Sequence, residues 1–201
     1  MIEAVIFDFG GVLIDWSPHH LYRKLIVDDA QRQWFLDEVC SSDWNLEQDR
    51  GRDWEEAIAL KVAEFPEHEG LIRAYRDRWP EMCGGTIAAG LDLHGKLKAA
   101  DVPLYGLTNW SEDTFTVGQE MFPVLSDFRY IAVSGRLKMI KPDPAIYHHI
   151  LDTCGLSADS CLFIDDVEKN VIGARAVGLR AIQFTDPVEV ARQMRALGLP
   201  V

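Results

Sequence analysis

The stretch that most constrains this chain is its first apolar run, because that run ends in a carboxylate followed by two glycines. Residues 5–7 are β-branched or aromatic, which predicts a buried strand. Asp8 closes the strand, and Gly10 and Gly11 let the backbone turn tightly and approach a ligand. An Asp at the carboxyl end of a parallel strand lies where open α/β sheets bind ligands. The stretch therefore predicts a ligand site at Asp8, although the same residues also fit an ordinary turn or helix cap.

Three further polar motifs occur downstream in a fixed order. In chain order they are Thr108-Asn109, Lys141 at the mouth of a helix, and Asp165-Asp166 with Asn170 four residues later. Two of the three come directly after apolar runs, residues 104–107 and 161–164, which predict strands. Each motif alone is common in proteins, whereas the ordered set is specific. The set resembles that of the haloacid dehalogenase superfamily over nearly the whole chain.

The pattern of elements agrees with that resemblance. From Gly84 onward strands alternate with helices, which predicts an α/β fold with a doubly wound parallel sheet. The strands expected there are residues 104–107, 130–133, 162–164 and 181–184. Residues 19–78 carry apolar side chains at helical spacing, which predicts about four helices and no strand.

The helical segment resembles the cap that many superfamily members insert just after the first strand. We therefore expect two domains. A Rossmann-like α/β core domain would comprise residues 1–15 and 84–201, and a helical-bundle cap domain would comprise residues 16–83.

The resemblance implies phosphoryl transfer with Asp8 as the nucleophile, forming an aspartyl phosphate. Mg²⁺ prefers a few carboxylate or carbonyl oxygens together with water and substrate oxygens. Asp8, Asp165 and Asp166 supply such carboxylates, and by resemblance the backbone carbonyl of Gly10 is a further ligand. Carboxylates crowded without a counter-ion raise each other's pKa, which itself argues for a cation. The expected cofactor is therefore Mg²⁺.

Three residues are expected to hold the phosphoryl group. Thr108 and the amide of Asn109 lie at a strand end, where both are able to donate hydrogen bonds to phosphoryl oxygens. Lys141 would bridge the nucleophile and the phosphoryl group as a point charge. Lys138 is similar in type and close in sequence, but it is expected to be exposed to solvent.

Five residues are expected to contact the substrate because of their places beside these motifs: Gly11, Trp16, Arg50, Trp110 and Asn170. Trp110 directly follows Asn109, and large aromatic side chains beside strand-end loops shape pockets. Arg50 stands in a turn that resembles the substrate-facing turn of related caps, and it equally fits a solvated charge. Trp44 is a further large aromatic residue that fits a substrate pocket, but it fits a position in the hydrophobic core at least as well.

The sequence departs from the superfamily pattern at Gly10. Phosphatases of the superfamily usually carry a second Asp there, which acts as general acid and base, and glycine transfers no proton. Asp15 is the first candidate substitute and His19 or His20 the second, although the histidines also fit a surface turn. A glycine at this position does resemble a sub-group that includes sugar-phosphate phosphatases.

Composition excludes some partners and suggests a compartment. The net charge of −12 argues against non-specific binding to nucleic acid or to anionic membranes, since both need basic surface. The four cysteines show no metal-ligand spacing, and Cys161 fits a small core residue. Without a signal-like segment or a membrane-spanning run, the sequence predicts a reduced, cytoplasmic protein. It predicts no oligomeric state.

The leading hypothesis is a Mg²⁺-dependent phosphatase of a small phosphorylated metabolite, with sugar phosphates as a candidate class. The second is a metal-free 2-haloacid dehalogenase in which Asp8 attacks carbon. Those enzymes usually carry an aromatic residue at the position of Gly10 and a halide-binding arginine early in the cap, which Arg23 matches only loosely. The third is a relative without turnover that binds a metabolite or a partner protein, and Gly10 alone favours it.

Overall fold

A five-stranded parallel sheet forms the centre of the molecule. The structure is a computed structural model that describes residues 2–201. The strands of the described chain are β1 (Ala4–Phe7), β2 (Ile14–Trp16), β3 (Cys83–Thr86), β4 (Leu104–Thr108), β5 (Ile131–Val133), β6 (Cys161–Asp165) and β7 (Arg180–Gln183). The sheet order is β5-β4-β1-β6-β7, and every neighbouring pair is parallel. The predicted α/β class is confirmed, and the four strands predicted after the first are found within one residue at each end.

Helices cover the sheet and fill the segment between β2 and β3. They are α1 (Pro18–Leu25), α2 (Asp29–Trp34), α3 (Ser42–Asp49), α4 (Trp54–Glu64), α5 (Glu69–Asp77), α6 (Ala88–Ala99), α7 (Glu112–Met121), α8 (Ser134–Leu137), α9 (Pro144–Cys154), α10 (Glu168–Ala176) and α11 (Pro187–Ala196). A π-helical turn, Phe35–Val39, follows α2 directly. Helix α9 ends at Gly155 in the left-handed conformation, a common helix stop.

Strand β1 lies in the middle of the sheet, and both of its faces are covered. Val5 and Phe7 belong to one hydrophobic cluster, and Ala4 and Ile6 belong to the cluster on the opposite face. Successive side chains of a strand point to opposite faces, so a strand buried on both sides needs an apolar residue at every position. This requirement explains the unbroken apolar run that precedes Asp8.

The helical segment between β2 and β3 has its own aromatic interior. The rings of Tyr22, Phe35, Trp44, Trp54 and Tyr75 pack with centroids 5.0–6.1 Å apart. All five side chains are buried. Trp44 therefore packs in the interior of the helical segment, which is the core position that the sequence analysis considered for it. Five α-helices occur in this segment where about four were expected.

A two-stranded antiparallel ribbon, β2 with β3, joins the helical segment to the sheet, and the sequence did not predict it. Ile14 pairs with Thr86 and Asp15 pairs with Gly85. The ribbon was missed because its strands are very short and β3 contains two glycines, which disfavour strands. The ribbon spans both predicted domain boundaries, and the division into core and cap domains stays a prediction.

Two expectations from composition concern cysteines and membranes. All four cysteines, each within residues 2–201, are free thiols, and Cys161 is fully buried in β6 as expected for a core residue. Within the same residues, no helix combines the length and the apolar character needed to cross a membrane.

Candidate active site

The carboxyl ends of β1 and β6 place two carboxylates side by side. Phe7 pairs with Ile164 in the parallel register, so Asp8 and Asp165 follow as neighbours. The backbone N–H of Asp8 donates to the carbonyl of Ile164 at 2.8 Å, which continues the ladder past the strand end. Thr108 closes β4 on the other side of β1. Three motifs that are far apart in sequence therefore meet at one edge of the sheet.

Lys141 lies between these two carboxylates. Its Nζ is 2.9 Å from Asp8 Oδ2 and 2.7 Å from Asp165 Oδ2, and its side chain is completely buried. The ammonium also lies 5.5 Å from the centroid of the Phe163 ring. Lys138 is exposed, as predicted. Such a short bridge fixes Lys141 and its two partners relative to one another.

Asn109 holds the loop that carries Lys141. Its Nδ2 donates to the carbonyl of Lys141 at 3.0 Å, and its Oδ1 accepts from the backbone N–H of Lys141 at 2.9 Å. This pair of bonds uses both ends of the side-chain amide. The amide left for a ligand is therefore the backbone N–H of Asn109.

Asp165 and Asp166 have different surroundings although they are adjacent in sequence. Asp165 is fully buried and accepts hydrogen bonds from the backbone N–H of Val167 and from Nδ2 of Asn170, in addition to Lys141. Asp166 is only partly buried. Together with Asp8, these residues bring one carboxylate oxygen each within 4.8 Å of one another. We call Asp8, Lys141, Asp165 and Asp166 the strand-end cluster.

Burial and charge act against each other in the strand-end cluster. Burial raises the pKa of Asp8 well above its ordinary value, the nearby Asp165 and Asp166 raise it further, and Lys141 lowers it. Burial and Asp165 likewise raise the pKa of Asp166. The pKa of Lys141 is raised because its two carboxylate partners outweigh its burial. A cation placed among these carboxylates would favour their charged forms.

Gly11 leaves room for Asp166. The glycine has φ of +70°, in the left-handed region, and a Cβ there would overlap the Asp166 carboxylate. The glycine turn after β1 is therefore required both by the backbone conformation and by the close approach of a cluster residue.

A cavity of about 70 Å³ opens beside the strand-end cluster. It is lined by Gly10, Ile14, Trp16, Asn45, Asp49, Trp79, Thr108, Asn109, Trp110 and Thr114. Gly10, Thr108 and Asn109 belong to the sheet edge, whereas Asn45, Asp49 and Trp79 come from the helical segment. The Trp79 and Trp110 rings pack with centroids 5.3 Å apart. The cavity thus has a polar floor and a largely aromatic wall.

Hydrogen bonds fasten the helical segment onto the sheet edge at this cavity. Ser134 Oγ donates to the backbone carbonyl of Asp49 at 2.6 Å and accepts from the backbone N–H of Trp110 at 2.9 Å. Trp54 Nε1 donates to Ser111 Oγ at 3.0 Å. The end of α3 and the start of α4 are therefore fixed against the start of α8 and the loop that follows β4.

Some predicted residues lie elsewhere. Arg50 is half-exposed beside Glu47 and does not line the cavity. Asn170 is buried with its amide against Asp165, so its observed contact is with a cluster residue. Of the candidate substitutes for Gly10, Asp15 is half-exposed on β2 and His20 binds it at 3.1 Å, and Asp15, His19 and His20 are not among the residues that line the cavity.

Sequence reasoning missed Asp49, Asn45 and Trp79 as cavity residues. Asp49 directly precedes Arg50, the residue that the sequence singled out in this turn, and only Asp49 of the two lines the cavity. Only tertiary packing shows which side of that turn faces the sheet. Burial raises the pKa of Asp49 to about 7, while a hydrogen bond from the backbone of Ser111 and the charge of Lys141 act in the opposite direction.

Comparisons with known proteins identify the family. A family model described as haloacid dehalogenase-like hydrolase matches residues 2–178. The sesquiterpene phosphatase astK of Aspergillus oryzae is 30% identical, with 97% of this chain and 96% of the relative covered. A phosphatase from Mycobacterium tuberculosis is 51% identical, with 90% and 86% covered.

A solved structure of the HAD family enzyme BT-2542 from Bacteroides thetaiotaomicron superposes with a TM-score of 0.73 at 22% identity, covering 95% of this chain and 98% of that one. Another structure of that enzyme, in complex with magnesium and inorganic phosphate, gives a TM-score of 0.69 at 23% identity over 91% and 94% of the two chains. At such identities these likenesses show the fold alone. Together with the family match and the sequence relatives, they lead to one conclusion: the chain belongs to the haloacid dehalogenase-like hydrolases.

Proposed function

We propose that this protein is a Mg²⁺-dependent phosphatase of small phosphorylated metabolites, with sugar phosphates as the candidate class. The observation that carries the proposal is the strand-end cluster, in which a buried lysine bridges the proposed nucleophile Asp8 and a second carboxylate beside a cavity. The phosphatases among the sequence relatives support the same reaction.

The donor set suits a magnesium ion. Three carboxylates face one ammonium, so the strand-end cluster carries two net negative charges when every group is ionised. A divalent cation would balance that charge, and carboxylate and carbonyl oxygens are ligands that suit Mg²⁺. Asp8, Asp166, Asp165 and the carbonyl of Gly10 would hold the ion, which would supply positive charge against the phosphoryl oxygens.

The residues of the strand-end cluster and of the cavity floor then have distinct roles. Asp8 Oδ attacks phosphorus, and the bond from phosphorus to the leaving oxygen breaks. Lys141 keeps the carboxylate of Asp8 in place and adds positive charge where the phosphoryl oxygens arrive. Thr108 Oγ and the backbone N–H of Asn109 donate hydrogen bonds to those oxygens. Water then attacks the phosphoaspartate, which releases inorganic phosphate and restores Asp8.

The wall of the cavity favours a small leaving group with both apolar and hydroxyl faces. Trp16 and Trp110 offer indole surface, and Asn45 and Asp49 offer polar atoms close to it. Sugar rings have this mixed character, since their C–H faces pack on aromatic rings while their hydroxyls need hydrogen-bond partners. This match supports sugar phosphates as the first substrates to assay.

The test is phosphate release from a panel of sugar phosphates and one activated aryl phosphate, with Mg²⁺ or with a chelator. Asp8→Asn keeps the shape of the side chain but removes its nucleophilicity, so we expect a loss of at least about 10⁴-fold. Asp152→Asn, the same change at an exposed position on α9, serves as the control and should act as wild type.

Phosphate release that needs neither Asp8 nor the metal ion would refute the proposal. Halide release from a 2-haloacid in the presence of the chelator would replace it with the dehalogenase reaction. If the wild type releases neither phosphate from any ester nor halide from the haloacid, the proposal is wrong and the hypothesis of a binding protein without turnover is favoured.

A further inference from the structure

Hydrolysis of a phosphoester with a poor leaving group is faster when a group protonates the leaving oxygen, and the turn after β1 lacks such a group. In the superfamily to which the chain belongs, a carboxylate usually stands at the position of Gly10, whereas glycine carries no side chain. Asp15 and His20 bind each other outside the cavity lining. A proton donor for the leaving oxygen would therefore come from another part of the fold.

Asp49 is a carboxylate that lines the same cavity as Gly10 and Thr108. It is the last residue of α3, and its backbone carbonyl accepts from Ser134 Oγ at 2.6 Å. One carboxylate oxygen, Oδ2, accepts from Nδ2 of Asn45 at 3.0 Å. The backbone and the side chain of Asp49 are both held by hydrogen bonds, so this lining residue has a fixed place in the cavity.

The surroundings of Asp49 suit a residue that must exchange protons. Burial raises its pKa to about 7, against the opposing effects of the Ser111 backbone and Lys141. A carboxyl group with such a pKa is present in both protonation states near neutral pH, and a catalytic pKa near the working pH is the most effective for general acid–base catalysis. Tyr75 is the other titratable group close to this carboxylate.

We propose that Asp49, delivered by the helical segment, is the general acid and base of this enzyme and replaces the carboxylate missing at Gly10. The inference rests on the phosphatase function proposed above. In the first step Asp8 bonds to phosphorus, the leaving oxygen departs with its electron pair and takes the proton of Asp49, and an alcohol is released. In the second step ionised Asp49 accepts a proton from water as that water attacks phosphorus. The bond from phosphorus to Asp8 breaks, and phosphate and protonated Asp49 result.

The experiment compares Asp49→Asn with wild type on phosphate esters whose leaving groups range from an activated aryl alcohol to a simple alkyl alcohol. For the alkyl ester, kcat/KM should fall about 10²–10⁴-fold, the usual contribution of a general acid. For the activated aryl ester kcat/KM should fall less than about 10-fold, because that leaving group departs without a proton. Asp43→Asn, an exposed carboxylate on the same helix, is the matched control and should match wild type on both.

The second half of the proposal has its own signature. With the activated aryl ester, Asp49→Asn should release a burst of the aryl alcohol followed by slow turnover, because the phosphoaspartate forms but water is no longer activated. Retained kcat/KM on this ester also reports a folded variant, and the contact with Asn45 survives in an amide of the same shape.

Two results would overturn the assignment of Asp49: equal losses of kcat/KM for every leaving group, or no loss for the alkyl ester. Failure of the phosphatase function itself would look different, because wild type would then release no phosphate from any ester in an Asp8-dependent manner.

Discussion

The strand-end cluster and the wall of the cavity lie side by side but are built in opposite ways. The cluster consists of charged groups that are buried and bound to one another, and all of them come from sequence beside β1, β6 and α9. The wall contains three indole rings, those of Trp16, Trp79 and Trp110, and its polar residues include Asn45 and Asp49, which come from the helical segment. From this difference we propose that the strand-end cluster, fixed by the sheet, holds the reacting groups, whereas the indole rings of the wall meet the leaving group.

The sharpest test of this contrast is removal of the central charge of the cluster. Lys141→Met leaves Asp8 and Asp165 buried without their cation, so we expect the free energy of unfolding to fall by about 3–5 kcal/mol in the presence of a chelator. Mg²⁺ should restore part of this loss, since it binds the same carboxylates in the folded state. Urea unfolding at neutral pH measures both effects.

Lys138→Met is the matched control, because it makes the same change at an exposed position three residues away. Its stability should stay within about 0.5 kcal/mol of wild type with and without Mg²⁺. Equal stabilities of the two variants in chelator would show that the bridge by Lys141 contributes nothing to the fold.

The junction of the two regions should show an intermediate effect. Ser134→Ala removes the partner of the buried Trp110 N–H and the donor to the Asp49 carbonyl, which should cost about 1–3 kcal/mol. The free energy of unfolding in urea measures this cost. The control is Ser126→Ala, because the Ser126 hydroxyl donates to a backbone carbonyl at an exposed position. If both serine variants lose the same amount, the link between the helical segment and the sheet is no stronger than a surface hydrogen bond.

The same contrast explains how much could be predicted from the sequence. Asp8, Thr108 and Asp165 could be predicted because each follows an apolar run, and parallel strands bring their carboxyl ends to one edge. Asp49 could not be predicted, because its place depends on how α3 packs against the start of α8 at Ser134. The β2–β3 ribbon could not be predicted for a related reason. It pairs residues some seventy positions apart, and its short strands carry little local strand signal.

The smallest effect on stability, and the most selective effect on activity, is expected in the wall. Trp16 is partly buried, and its indole nitrogen is buried without a hydrogen-bond partner among the described residues. In Trp16→Phe the loss of apolar contact is offset by removal of that unsatisfied donor, so stability should change by less than about 1 kcal/mol. The kcat/KM for sugar phosphates should fall about 10-fold, because the variant loses packing against the leaving group.

For the smallest phosphate ester that is turned over, kcat/KM of Trp16→Phe should change far less, since that ester does not reach the wall. Trp34→Phe, at an exposed tryptophan of α2, is the control for the loss of an indole and should leave both values unchanged. A uniform loss across all esters would mean that Trp16 supports the reacting groups rather than the leaving group. The indole rings of the wall and the strand-end cluster would then act together on the reacting groups. The inference that the indole rings contact only the leaving group would be wrong.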